Sequence, residues 1–187
     1  MSGFIPGNII GGGIGPGGAS RFTLTATTTS SPETVTIERL TPSEDVEIDW
    51  GDGTVETISA DDETAQTHEY ATAGNYQIRV SDPDLITQLK LTESTLSGLD
   101  TRQLSDAVLT YFWVNGLGTE TECVVRSADM QNWTPSDWRL FSMPSGTYSI
   151  DSQHMSGWTP NDWILRLMPS GTYSIDSQHM SGWTPST

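Results

Sequence analysis

The feature that most constrains this sequence is a tandem repeat near its C-terminus. Residues 143–160 recur without a single change as residues 168–185, which gives a period of 25 residues. Tandem units of about 20–50 residues bury their apolar faces against neighbouring units and so build layered, elongated folds. Two copies that stay identical contain no site that has forced them apart. The repeat therefore favours a modular structural or binding protein over an enzyme.

The repeat continues toward the N-terminus in diverged form. Five residues lie 25 positions before similar residues of the next unit, namely Tyr148, Ile150, Met155, Trp158 and Trp163. The five are Cys123, Val125, Met130, Trp133 and Trp138. The same internal spacings occur once more, 34 residues earlier, at Leu89, Leu91, Leu96, Leu99 and Leu104. The pattern predicts three full units and a fourth that stops after Trp183.

Each unit is predicted to be a strand followed by a short helix. Residues 148–151 alternate apolar and polar side chains, as a half-buried strand does. Thr159 and Pro160 suit an N-cap and a first helical position, and Pro169 and Gly171 would stop the helix. The unit resembles a leucine-rich repeat in the L-x-L spacing of its first copy, although the usual asparagine is absent and Trp replaces Leu. The resemblance implies a short solenoid with a parallel sheet.

The strands of such a solenoid would present a recognition face. Tyr148 and Tyr173 are expected to lie one above the other and to face inward, as are Ile150 and Ile175. The outward ladder is the usual binding surface of a solenoid, and here it consists of Ser149, Asp151, Gln153, Ser174, Asp176 and Gln178. The alternative, that three or four short strands make too small a sheet to grip a partner, stays open.

The last unit ends at Thr187 without its helix, so an uncapped solenoid end is expected. The residues predicted at this end are Tyr173, Ile175 and Trp183. Uncapped ends require a cover for solubility. We therefore expect a homo-oligomer, with a trimer as one closed arrangement, or a bound partner.

The chemistry-bearing residues of the repeat do not predict catalysis. Asp151, Ser152 and His154 lie close together on one predicted strand, where neighbouring side chains face opposite ways. Cys123 takes the place of Tyr148, which predicts a buried thiol. We expect no cofactor and no metal, with calcium bound by acidic residues as a minor alternative. The repeat tryptophans lie beside a predicted cap, which favours packing between units over stacking on sugars.

Residues 21–82 predict an antiparallel β-domain. Apolar and polar residues alternate at 22–26, 35–38, 46–50 and 76–80, with turn-forming clusters between them. The segments WGDGT at 50–54 and HEYATAGNYQIRV at 68–80 resemble the polycystic-kidney-disease (PKD) type domain. That resemblance implies an immunoglobulin-like β-sandwich that serves as a spacer or ligand-binding module. Trp50 and Tyr76 fit core positions, and His68 fits a hydrogen-bonded structural histidine better than a metal ligand.

Residues 1–20 form a Gly/Pro-rich arm that has too little apolar surface to fold alone. Its apolar residues are expected to bind a neighbouring subunit or another protein, with packing on the arm's own domain as the alternative: Phe4, Ile5, Ile9, Ile10 and Ile14. Neither a signal peptide nor a membrane span is recognisable in this segment, which predicts synthesis in the cytoplasm. The net charge of −16, with only 8 Lys and Arg residues, argues against nucleic acid and anionic membranes as partners.

The sequence thus predicts a mainly β protein with short helices, in which an immunoglobulin-like β-sandwich precedes a strand–helix solenoid with a parallel sheet. The expected divisions are the arm at 1–20, the PKD-like sandwich at 21–84 and the solenoid at 85–187. The function expected is a non-enzymatic bacteriophage virion protein: a capsid decoration or cement protein, or a short head fibre. Its arm would bind other virion proteins, with the major capsid protein as the main candidate. The alternative is a surface or exported adhesin that binds glycan or protein through the Trp-rich repeats.

Overall fold

The computed structural model describes residues 21–176 and 178–179. Within these residues the protein is mainly β, with several sheets that include parallel ones, and no helix reaches seven residues. The predicted arm residues and Trp183 lie outside the described part of the chain: Phe4, Ile5, Ile9, Ile10 and Ile14 in the arm, and Trp183 at the predicted solenoid end.

Short strands follow one another along the chain. They are β1 Arg21–Thr28, β2 Glu33–Ile37, β3 Arg39–Pro42, β4 Val46–Asp49, β5 Val55–Ile58, β6 Gln66–Tyr70, β7 Gly74–Ser81, β8 Ile86–Leu91, β9 Leu96–Ser97, β10 Tyr111–Asn115, β11 Cys123–Arg126, β12 Asp137–Phe141, β13 Gly146–Asp151, β14 Asp162–Arg166 and β15 Thr172–Ser174. Short 3-10 helices lie at Pro83–Leu85, Thr101–Leu104, Ser127–Met130 and Ser152–Met155.

The N-terminal strands form antiparallel sheets around a shared core. One sheet has the order β5-β4-β7-β1-β9, and β2 pairs with β6. The alternation in the sequence places Phe22 and Leu24 of β1, and Ile48 of β4, fully inside. The four strands predicted in this region are present as β1, β2, β4 and β7. The immunoglobulin-like topology stays a prediction.

The turn between β4 and β5 requires glycine. Gly51 has φ of +84°, and a Cβ atom there would lie 2.6 Å from the carbonyl oxygen of Gln77. Asp52 accepts the backbone N–H of Thr54 at 3.0 Å and pairs with Nε2 of His68 at 2.8 Å. The ring of His68 stacks on that of Trp50, with centroids 5.0 Å apart. The predicted structural histidine therefore joins this turn to β6.

The repeat region is built from parallel strands. β8, β10, β12 and β14 lie side by side in one sheet, where β3 pairs antiparallel with β8, and β11, β13 and β15 form a second sheet. One layer runs from β11 through Ser127–Met130 to β12, and the next runs from β13 through Ser152–Met155 to β14. Each layer therefore contributes one strand to each parallel sheet.

The tryptophans of the repeat fill the space inside these layers. Phe112, Trp138 and Trp163 occupy equivalent positions on β10, β12 and β14, and the rings of Trp138 and Trp163 stack with centroids 5.4 Å apart. Trp133 and Trp158 are also buried. These positions favour the core interpretation of the repeat tryptophans over sugar stacking.

The helix predicted after Thr159 and Pro160 is wrong. The segment Asp162–Arg166 is a strand that pairs in parallel with β12 along its whole length. The capping signals were local and contribute only about 1 kcal/mol, whereas pairing with β12 satisfies the backbone groups along one edge of the strand and packs the partly buried Trp163 and Leu165 against the core. The helical turn lies instead at Ser152–Met155, where the carboxylate of Asp151 accepts the N–H of Gln153 at 2.9 Å.

The predicted alignment of the first unit is also wrong. Leu89 pairs with Phe112, so it belongs to the column of Trp138 rather than to that of Tyr148. The leucine spacings were matched to the wrong strand because each unit has two strands, not one.

In the second parallel sheet the register is shifted by two residues from the predicted stack. Ile150 pairs with Tyr173, so the two tyrosines do not lie directly one above the other. A shift of two residues keeps each side chain on its own face of the sheet. Tyr148 and Ile150 are buried as predicted, whereas Ile175 is 44% exposed.

Candidate interaction face

The outer surface of the five-stranded sheet, here called the outer face, collects the polar and aromatic side chains that alternate with its buried ones. Its strands are β3, β8, β10, β12 and β14. Leu89, Phe112 and Trp138 point into the core, so their neighbours on each strand face the other way. The outer face consists of Arg39, Gln88, Lys90, Tyr111, Trp113, Asp137, Arg139, Phe141, Asp162, Ile164 and Arg166.

Trp113 lies at the centre of the outer face between two cations. The strand register places it beside Lys90 on β8 and Arg139 on β12. Nζ of Lys90 lies 4.3 Å from the ring centroid, and the guanidinium carbon of Arg139 lies 4.5 Å from it. Each contact is a cation–π interaction, worth about 0.5–2 kcal/mol depending on exposure. Cations therefore cover the indole, which leaves little of the ring free to stack on a sugar.

Carboxylates balance these cations. Lys90 forms an ion pair with Glu38, and Arg139 pairs with Asp137 at 2.8 Å and with Asp162. The hydrogen bonds from Lys90 and Thr92 hold the pKa of Glu38 below its ordinary value.

A second cation–π contact extends the network. The guanidinium of Arg39 lies 4.9 Å from the ring centroid of Tyr111 and donates to Oε1 of Gln88 at 2.8 Å. Glu63 pairs with Arg39 at 3.9 Å and accepts from Gln88 at 3.0 Å. Burial raises the pKa of the Tyr111 hydroxyl, so this phenol stays neutral at physiological pH.

The outer face is neutral in a strongly acidic protein. Four of the eight Lys and Arg residues of the chain lie on it, namely Arg39, Lys90, Arg139 and Arg166. Four carboxylates lie on it or contact it, namely Glu38, Glu63, Asp137 and Asp162. The chain as a whole carries −16, so the charge that would repel an acidic partner lies elsewhere. Aromatic and arginine side chains on a charge-balanced surface are typical of protein interfaces.

The recognition face predicted from the sequence lies on the second parallel sheet and on the 3-10 turns that follow its strands. Ser149, Gln153, Ser174, Asp176 and Gln178 are exposed, and Asp151 is half-buried. The carboxylates of this set already have a structural role, because Asp151 caps the N–H of Gln153 and Asp176 caps that of Gln178, each at 2.9 Å. Their role in binding stays a prediction.

A column of buried hydroxyls holds successive layers together. Oγ of Ser127 accepts the N–H of Asp151 at 2.8 Å and contacts Nδ1 of His154 at 3.0 Å. Oγ of Ser152 repeats this arrangement one layer on, with Asp176 at 2.8 Å and His179 at 3.2 Å. Ser152 therefore pairs with a histidine of the next layer and not with His154. Both serines are 1% exposed, so neither can act as a nucleophile on a dissolved substrate.

Cys123 is likewise closed off. Its side chain is fully buried, and that burial raises the pKa of the thiol. At the predicted solenoid end, Tyr173 is half-buried and Ile175 is exposed, while Trp183 lies outside the described residues. Whether these residues contact a partner stays a prediction.

Sequence reasoning missed the outer face. Its signal is weak, because apolar and polar residues alternate in DWRLF at 137–141, whereas YFWVN at 111–115 and DWILR at 162–166 are mainly apolar runs. Read as strands, these segments place Trp113 and Arg139 on one surface. The capping residues Thr159 and Pro160 favoured a helix for the last of these segments.

Among residues 21–176 and 178–179 no cluster of three or more His, Cys, Asp or Glu residues could hold a metal ion. The helices within the same residues are too short to cross a membrane. Comparison of the chain with protein-family models, with curated proteins and with solved structures gave no match.

Proposed function

We propose that this protein is a non-enzymatic structural component of a bacteriophage virion, acting as a capsid decoration or cement protein or as a short head fibre. The N-terminal arm at 1–20 attaches it to other virion proteins, in the first place the major capsid protein. The β-rich remainder, made in the host cytoplasm and carried on the particle, forms a rigid body that assembles as a homo-oligomer.

The observation that carries the proposal is the layering of the identical copies. Ser127 and Ser152 make the same hydrogen bonds in successive layers, and Trp138 and Trp163 stack in register. Repeated sequence used in this way adds length and rigidity to a body instead of forming a reaction centre. The hydroxyls of Ser127 and Ser152 and the thiol of Cys123 are buried, which is consistent with a structural role.

The finer fold assignment belongs to the same proposal. We infer that residues 21–84 form a PKD-like, immunoglobulin-like module, supported by the antiparallel sheets and the glycine-dependent turn at Gly51. The solenoid predicted for 85–187 has, in its described residues 85–176, a unit of two strands joined by a 3-10 turn, supported by the two parallel sheets. A spacer module followed by a stacked repeat suits a protein that projects from a surface.

Mass spectrometry of purified virions from the source of this sequence tests the proposal. We expect the protein in stoichiometric amounts with the capsid proteins, and we expect a variant lacking residues 1–20 to be lost from the particles while it remains folded by circular dichroism. Its absence from purified particles would overturn the virion assignment.

A surface or exported adhesin is the second candidate. The observation that favours it is the row of outward aromatic and charged residues on the outer face, since the repeat tryptophans first considered for this role are mostly buried. A glycan array with the purified protein distinguishes the two, because only the adhesin predicts glycan binding.

A further inference from the structure

We propose that the outer face is the surface through which two copies of this chain associate about a two-fold axis. The proposal names the partner of the candidate interaction face and so rests, for its biological setting, on the proposed role in an assembly. The charge balance and the strand register of the outer face support this dimer.

Electrostatic repulsion between two acidic copies favours contact through the outer face. Two copies that each carry −16 repel one another over most of their surfaces. The outer face is the exception described above, with four cations balanced by four carboxylates. Self-association is least opposed where the local charge is zero, and the aromatic and arginine content of this face is that of interface cores.

The outer face is also complementary to itself. The register arranges eight of its residues in two rows that run across β8, β10, β12 and β14. The first row contains Gln88, Tyr111, Asp137 and Asp162, and the second contains Lys90, Trp113, Arg139 and Ile164. A two-fold axis that runs across the strands between the rows lays the first row of one copy over the second row of the other.

This superposition brings complementary groups together on β8, β10 and β12, and on β14 it sets Asp162 against Ile164. Asp137 faces Arg139 of the second copy, and Tyr111 faces Trp113 of the second copy. Gln88 faces Lys90, so amide oxygen meets ammonium. A two-fold axis that runs along β10 would instead set Lys90 against Arg139, which repel each other. The charge pattern therefore favours the axis across the strands over the axis along β10.

The size of the face sets the strength of the contact. Five strands about 4.8 Å apart and about five residues long cover roughly 24 by 16 Å, or about 400 Å² on each copy. That is about half of what a stable standard-sized interface buries per partner. We therefore expect a weak dimer, formed when copies are concentrated or held side by side on a particle.

Sedimentation velocity of the purified full chain, from about 10 µM to about 1 mM, tests the proposal. We expect a concentration-dependent dimer that Arg139→Glu removes, since this variant sets a carboxylate against Asp137 of the second copy. The double variant Asp137→Arg, Arg139→Asp restores the opposition of charges and should restore the dimer. The matched control is Arg79→Glu, which removes a similar ion pair with Asp49 on the antiparallel sheet and should leave the dimer intact.

A second variant, designed to raise the affinity of the dimer, keeps the proposal testable if Arg139→Glu fails to fold. Ile164→Lys places an ammonium opposite Asp162 of the second copy and should tighten the dimer severalfold. A monomer at every concentration would overturn the proposal, as would a dimer that keeps its affinity in both Arg139→Glu and Ile164→Lys. Because the assay uses purified protein, its failure would leave the virion proposal standing, and absence from virions would leave the dimer standing.

Discussion

Truncating Trp138 tests whether the repeat region is a stack of layers held by its tryptophans. Trp138 is fully buried and has three aromatic neighbours, with Trp163 at 5.4 Å, Phe112 at 6.3 Å and Trp158 at 6.4 Å between ring centroids. A buried indole removes about 200 Å² from water, which at about 25 cal/mol per Å² is about 5 kcal/mol. Large-to-small changes of this kind cost about 3–5 kcal/mol in practice. We expect Trp138→Ala to lower the free energy of unfolding by about 4 kcal/mol.

Trp163 provides the matched control, because it occupies the equivalent position one layer later. It is only partly buried, so less apolar surface is lost on truncation. We expect Trp163→Ala to cost about 2 kcal/mol, scaled from the same area coefficient. A third variant separates the loss of buried ring surface from the loss of the indole N–H. The Nε1–H of Trp138 is buried without a hydrogen-bond partner in the described residues. Trp138→Phe removes that unsatisfied donor and should cost only about 1–2 kcal/mol.

Urea denaturation followed by far-ultraviolet circular dichroism measures all three variants without depending on tryptophan fluorescence. In thermal melts the same energies correspond to about 8–16 °C for Trp138→Ala and about 4–8 °C for Trp163→Ala, at about 2–4 °C per kcal/mol for a chain of this size. The layered stack would be refuted if Trp163→Ala destabilised the protein as much as Trp138→Ala. Equal midpoints for Trp138→Ala and the unmodified chain would refute the burial itself.

Three further predictions concern local geometry and pH. Gly51→Ala should destabilise the protein by at least about 2 kcal/mol, since position 51 has a positive φ and a Cβ there would clash with the backbone. Position 53 also has a positive φ but has open space around it, so Gly53→Ala should cost about 1 kcal/mol by the same urea assay. Ser127→Ala leaves a buried backbone N–H without its acceptor and should cost about 1–3 kcal/mol, whereas the exposed Ser149→Ala should stay within about 0.5 kcal/mol; equal effects would contradict the hydroxyl column. Although burial alone would raise the pKa of Asp52, its hydrogen bonds hold that pKa below 3.8. A lowered folded pKa contributes stability above the ordinary value, and that contribution is lost as pH falls through the folded value. The stability difference between the unmodified chain and Asp52→Asn should therefore shrink below pH 3.8, and a difference independent of pH would contradict it.

The sequence predicted the parts of this protein in which local pattern and burial agree. Period-two alternation located β1, β2, β4 and β7, and the identical copies predicted stacked layers with parallel strands. Inward-facing residues such as Tyr148 and Ile150 followed from the same alternation, because a strand with one buried face must place its apolar side chains on that face. The turn at Gly51 was also recognisable, since its conformation is accessible to few residues other than glycine.

Tertiary structure decided the rest, because the competing local signals were too weak to decide it. Capping residues worth about 1 kcal/mol precede the segment at 162–166, yet pairing with β12 satisfies one edge of its backbone and packs the partly buried Trp163 and Leu165 against the core, so it is a strand. The outer face exists only because that pairing, repeated over four parallel strands, brings Lys90, Trp113 and Arg139 from three layers into contact. Sequence spacing determined that the units would stack. Which side chains meet across them was decided by strand register, which depends on the whole sheet.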